Sequence, residues 1–83
     1  MVDRANHDAR QLKLIETLRA ARRRMDLSQT ELAVKLGKRQ QFVSKYESGE
    51  RRLDFVEVLD VAKILGLAPE TLAKDINELD PDR

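Results

Sequence analysis

Between positions 39 and 45 the chain carries Arg39, Gln40, Gln41, Ser44 and Lys45, interrupted only by Phe42 and Val43. Gln pairs bidentately with an adenine edge, and Arg or Lys with guanine, so a helix presenting these side chains outward has the chemistry to read bases in a DNA major groove. All five are candidate base contacts. Lys45, one turn beyond Gln41, suits a base or a phosphate, and so does the short Ser44. Phe42 borders this face and either meets a thymine methyl or tucks against the domain. Lys38 just before the run, and Arg51 and Arg52 just after it, are candidate phosphate contacts, one of the arginines being within range of a minor groove. Gln29 joins them, because its amide can donate to a phosphate at the start of the preceding helix. Arg22 is also counted there.

The elements that must position these groups can be read from caps and spacing. Ser28 with Glu31 three residues later is a capping-box signature, and Leu32, Ala33 and Leu36 follow at helical spacing. Gly37 ends that helix, and only Lys38 intervenes before a second run with Val43 and Tyr46 on one face. Two short helices joined so tightly must cross at a large angle, with the second projecting outward. Upstream, a helix from Ala9 carries Leu14, Leu18, Ala21 and Met25 as its stripe, with Leu12 and Ile15 beside it. It ends in Arg22, Arg23 and Arg24, where cations complement the helix dipole. Downstream, Asp54 caps a fourth helix with Phe55, Val58, Leu59, Ala62 and Leu65 on its apolar face, and Gly66 stops it. A fifth runs from about Pro69 through Leu72, Ile76 and Leu79.

Residues 28 to 49 resemble the helix-turn-helix domain of phage repressors, Cro and the wider xenobiotic-response-element (XRE) class of bacterial regulators. Gln29, Glu31-Leu32-Ala33, Leu36-Gly37, Val43-Ser44, Tyr46-Glu47 and Gly49 carry the match. With its flanking helices it covers roughly residues 12 to 76. The resemblance implies a lambda-repressor-like bundle in which helices 2 and 3 form the motif and Gln40 and Gln41 touch or orient base edges. It further implies that Gln29 packs against the Gln at the start of the reading helix, and that Arg22 and Glu47 form an inner ion pair. Arg39 departs from the pattern, where Ser, Thr or Pro commonly stands; an uncapped start costs about 1 kcal/mol relative to Ser. A direct Arg39 contact to guanine or phosphate would compensate.

Eighty-three residues, three of them aromatic, rich in Leu, Ala and Val and with two Pro and three Gly, suit a single all-α domain with no room for a second, ligand-binding one. The expected organisation is a flexible arm at 1–8, the DNA-binding domain at 9–79 and a short tail at 80–83. No Cys is present, so neither a disulfide framework nor a thiolate zinc site is available, and no metal or cofactor is expected. The single His7 lies in the arm, no Gly-rich phosphate loop occurs, and Asp54, Glu57 and Asp60 read as carboxylates along one solvated helix. These features argue against an enzyme and show no small-molecule ligand site. No apolar run approaches the roughly 20 residues of a membrane span, and the N-terminus lacks a secretory apolar region, so a soluble, cytoplasmic protein is expected.

The net charge of +1 hides a strong polarity. Residues 1–52 hold 13 Lys and Arg against 7 Asp and Glu, or +6, whereas residues 53–83 hold 3 against 8, or −5. A basic half bearing the reading helix suits a face that meets phosphate. The expected function is a homodimeric transcriptional regulator, a repressor or autoregulator, on a pseudo-palindromic double-stranded operator. Two half-sites about 34 Å apart supply the specificity that one helix lacks. Phe55, Val58, Leu72 and Leu79 are the candidate dimer contacts, since helices 4 and 5 carry more apolar positions than one inward stripe needs. The alternative is an antitoxin or antiactivator that uses the same fold to bind a protein partner.

Overall fold

The computed structural model describes residues 8–79, which form five α-helices. Of the arm assigned to 1–8, residues 1–7 with His7, like the tail at 80–83, lie outside the described residues. Asp8, assigned to the arm, instead starts the first helix: its carboxylate accepts a hydrogen bond from the Arg10 backbone N–H at 2.9 Å. Helix α1 runs Ala9–Arg24 and buries Ile15, Leu18, Ala21 and Arg22. The expected stripe through Leu14 and Met25 is thus rotated. Met25 is the C-cap, beyond the last helical residue, and both it and Leu12 are exposed. At about 100° per residue, two overlapping stripes on one helix fit the spacing equally well, and packing selects between them. Asp26 then turns the chain at φ 61°, a left-handed conformation that a short polar side chain tolerates.

Helix α2 spans Gln29–Leu36. The Ser28 hydroxyl accepts from the Glu31 N–H at 3.0 Å, while the Glu31 carboxylate accepts from the Ser28 N–H at 2.8 Å, so two orphan donors are satisfied at once. Gly37 ends it at φ 71°, and the N–H of Lys38 returns to the Ala33 carbonyl at 2.9 Å. A side chain at that φ would meet its own backbone, which is why glycine holds the turn. Helix α3 follows over Gln40–Ser48, with Arg39 as an N-cap that makes no side-chain capping bond. Helix α4, Phe55–Ile64, starts with a second capping box formed by Asp54 and Glu57. Helix α5, Pro69–Asn77, uses Pro in its first turn, where its missing N–H costs nothing.

One core joins all five helices. Leu18 and Ala21 of α1 meet Leu32 and Ala33 of α2, Val43 and Tyr46 of α3, Val61 and Ala62 of α4, and Leu72 of α5, with Leu65 closing the cluster. Each of the larger side chains contributes about 1.5 to 3 kcal/mol by leaving water. Helix α2 packs against both α3 and α4, and α1 bridges α3 and α5, so α3 is braced from two sides while its remaining face stays open.

Leu72 is 5% exposed and belongs to this core, so as a dimer contact it is overturned: α5 has a single strong inward anchor, and Leu72 is that anchor. Val58 and Leu79 are half-buried, with Val58 packed against the core. Phe55 is 75% exposed and its neighbour Val56 63%, so the start of α4 is where large apolar surface remains. No helix among the described residues is long and apolar enough to cross a membrane.

Candidate nucleic-acid interface

Helix α3 has two unlike sides because Val43, Tyr46 and Glu47 recur at three- and four-residue spacing and face inward. Arg39, Gln40, Gln41 and Lys45 are exposed, and Ser44 is half-buried at their edge, its hydroxyl donating to the Gln41 carbonyl at 3.3 Å. The side chains at positions 39, 41 and 45 are therefore presented to solvent from a helix whose opposite side is fixed in the core.

What fixes α3 is an unusual inward carboxylate. Glu47 is 4% exposed, and Arg22 clasps it through two parallel bonds, Nε to Oε2 at 2.8 Å and Nη2 to Oε1 at 2.9 Å. The third Arg22 nitrogen, Nη1, donates to the Leu27 carbonyl at 2.8 Å, tying in the α1–α2 turn as well. Burial pushes the Glu47 carboxyl up, but the hydrogen bonds from Arg22 and Gln29 and the charges of Arg22 and Arg19 outweigh it, so its pKa lies below the ordinary range. Arg22 is held above its ordinary value by the same hydrogen bond to Glu47, against its own burial. Arg22 is 8% exposed with its nitrogens committed internally, and this corrects the expectation of a phosphate contact there.

The same carboxylate orients the start of the reading helix. Gln29 Nε2 donates to Glu47 Oε1 at 3.0 Å, and Gln29 Oε1 accepts from Gln40 Nε2 at 3.0 Å. A relay thus runs from Arg22 through Glu47 and Gln29 to Gln40. It leaves Gln40 Oε1 and one amide hydrogen for an outside partner, and Gln29 one hydrogen for a phosphate.

Arg19 was not anticipated. Its Nη2 donates to the Glu47 carbonyl at 2.6 Å and its Nε lies 3.6 Å from Oε1. Arg19 stands three residues before Arg22, where side chains of one helix share a face, and that spacing was the available signal.

The rim is basic and partly tied down. Phe42 is half-buried and meets Tyr46 edge to face, with centroids 5.7 Å apart. Lys38 Nζ lies 5.3 Å and the Arg51 guanidinium carbon 5.0 Å from the centre of the Phe42 ring, within cation–π range. Arg51 also forks onto Glu57, Nη1 to Oε1 at 3.0 Å and Nη2 to Oε2 at 2.8 Å. The Arg51 hydrogen bond, with the Asp54 N–H, brings the Glu57 carboxyl down to about 2. Asp54 is the exposed N-cap expected of it, whereas Glu57 is not the solvated carboxylate expected: it is the counter-charge of Arg51 and the second half of the capping box. The Asp54-x-x-Glu57 spacing announced the cap, but nothing in the sequence announced the fork. Arg52 is exposed.

An open groove separates the start of α1 from α4 and α5. Leu14, Phe55, Val58, Leu59 and Ile76 line it, with Asp8, Arg10, Glu70 and Lys74 among the charged residues along its walls.

A helix-turn-helix family model matches residues 18–72, which takes in both motif helices and most of the core. Among solved structures, an XRE-family like protein from Pseudomonas syringae pv. tomato str. DC3000 is 40% identical to this chain, with a TM-score of 0.82. The likeness covers 90% of this chain and 92% of that one. No curated protein matches the chain.

Proposed function

The chain belongs to the XRE-type helix-turn-helix family of DNA-binding regulators, and on that premise we propose that it is a sequence-specific transcriptional repressor or autoregulator that binds a pseudo-palindromic operator as a homodimer. The observation that carries the proposal is the hydrogen-bonded relay from the buried Arg22–Glu47 pair through Gln29 to Gln40. A solvated surface helix has no use for a side chain whose amide is aimed from beneath. A helix that reads bases does, because a bidentate contact fails if the amide is free to rotate. In this reading Gln40, Gln41 and Lys45 contact base edges, with Arg39 and Ser44 at the ends of the same face. Lys38 and Arg52 take phosphates, Arg51 reaches one only by leaving the Glu57 carboxylate, and Gln29 gives its spare hydrogen to one.

The dimer contact is the groove beside Phe55. A large aromatic left mostly in water beside a concave apolar wall is a standing cost that a second copy would remove. The same groove is what favours the alternative, a protein partner of the kind an antitoxin or antiactivator binds. Salt separates the two, since binding through several phosphates weakens steeply as counterions are released and a mostly apolar contact does not.

Selection of bound duplexes from a random-sequence pool tests the function directly. The expected product is an inverted repeat whose half-sites are centred about 34 Å apart. A pool that emerges without enrichment would contradict sequence-specific binding, and an enriched single half-site would contradict the dimer.

A further inference from the structure

Glu57 holds a position on the reading side of the molecule that the proposed DNA contacts do not explain. Its Oε1 accepts from both Arg51 Nη1 at 3.0 Å and the Asp54 N–H at 2.9 Å, and its Oε2 accepts from Arg51 Nη2 at 2.8 Å. The carboxylate is anchored to the first turn of α4 and cannot follow a moving partner. Arg51 is anchored in turn: Nη1 also donates to the Arg52 carbonyl at 3.3 Å, and the guanidinium lies over Phe42 of α3. The Glu57 side chain is 16% exposed against 42% for Arg51, so the carboxylate sits under the arginine and the arginine faces out.

We propose that Glu57 is a positioning residue that withholds Arg51 from DNA phosphate and thereby lowers the chain's sequence-independent affinity for duplex. The proposal rests on the DNA-binding reading given above. Arg51 and Glu57 together are a neutral unit, and a neutral unit displaces no condensed counterion from DNA. To neutralise a phosphate in full, Arg51 must give up two charge-assisted bonds of favourable fork geometry. Arg52, its exposed neighbour, has no such carboxylate fork among the described residues.

Glu57→Gln is a clean probe because Gln is itself a capping-box residue and keeps an acceptor for the Asp54 N–H. Binding of the full chain to a random-sequence duplex is followed from about 50 to 200 mM salt, with circular dichroism to check folding. Release of one further counterion predicts that Glu57→Gln binds about five- to tenfold more tightly near 0.1 M salt, with a log–log salt slope steeper by about one. Arg51→Lys leaves the cap untouched and keeps the charge pair but loses the fork, so it should gain less than Glu57→Gln. In an Arg51→Ala background, Glu57→Gln should change affinity little. Unchanged or weaker binding by both single variants would overturn the proposal, as would an equal gain with Arg51 absent, which would signify only the loss of a negative charge. Wild type that binds duplex with a normal salt slope while the variants show no gain overturns this inference alone; no salt-dependent duplex binding by any of them overturns the DNA reading with it.

Discussion

Glu47 carries two jobs on one carboxylate, anchoring α3 and steering Gln40, and the two can be separated by substitution. Arg22→Met leaves a buried carboxylate with only Gln29 and the longer Arg19 contact, so a loss of about 3 to 5 kcal/mol is expected. That is a large share of the roughly 5 to 15 kcal/mol that holds a domain folded. Arg22→Met combined with Glu47→Leu should recover much of the loss in urea unfolding, because no unpaired charge remains. Gln29 would nevertheless lose its anchor, and discrimination between DNA sequences should stay impaired in the double variant. Failure to recover stability would show that the pair contributes more than its desolvation cost.

The acid limb follows from the same residue. Glu47 has its folded pKa depressed, so its contribution is fully present above the ordinary carboxylate value of 4.5 and is lost as pH falls through the lower folded value. Glu57, brought down to about 2, acts in the same direction. Stability should therefore fall between about pH 4.5 and 2, and the double variant should show a shallower fall. At this scale the resemblance supplied Arg22, Glu47 and Gln29, whereas Arg19 and Glu57 were missed. Their partners are 28 and 6 residues away in sequence, and no local periodicity joins Arg19 to an acid on another helix.

At the scale of the helix, ends were legible and faces less so. Ser28 with Glu31, Gly37, Asp54, Gly66 and Pro69 act through their own backbone and near neighbours, so helix limits could be read from them alone. That Ile15 of α1 faces inward while Leu12 does not, or that Leu72 is core while Phe55 is not, depends on what packs opposite. Arg39 is the element-level anomaly, an N-cap without a capping side chain on the reading helix. Arg39→Ser should stabilise the domain by about 1 kcal/mol in denaturant unfolding. If Arg39 contacts the operator, the same variant should bind it more weakly. A variant that is both more stable and equally tight would remove Arg39 from the interface.

Across the whole molecule, basic charge gathers in the half that holds α3 while the acidic half holds α4 and α5, and the apolar groove opens at the start of α4 and along α5. Phe55→Asp should therefore leave the fold intact and abolish self-association in sedimentation, whereas Leu72→Asp should unfold the chain, since its side chain is enclosed in the core. A folded Phe55→Asp that associates as tightly as wild type would put the dimer contact elsewhere.

The central claim is that α3 reads bases, and one ratio tests it most directly: affinity for a selected duplex over affinity for a random one, at a single salt concentration, for wild type, Gln40→Ala and Gln41→Ala. Base reading predicts a loss of about 1 to 3 kcal/mol per bidentate contact on the selected duplex and little change on the random one, so that the ratio falls. Equal losses on both duplexes, leaving the ratio where wild type has it, would contradict it.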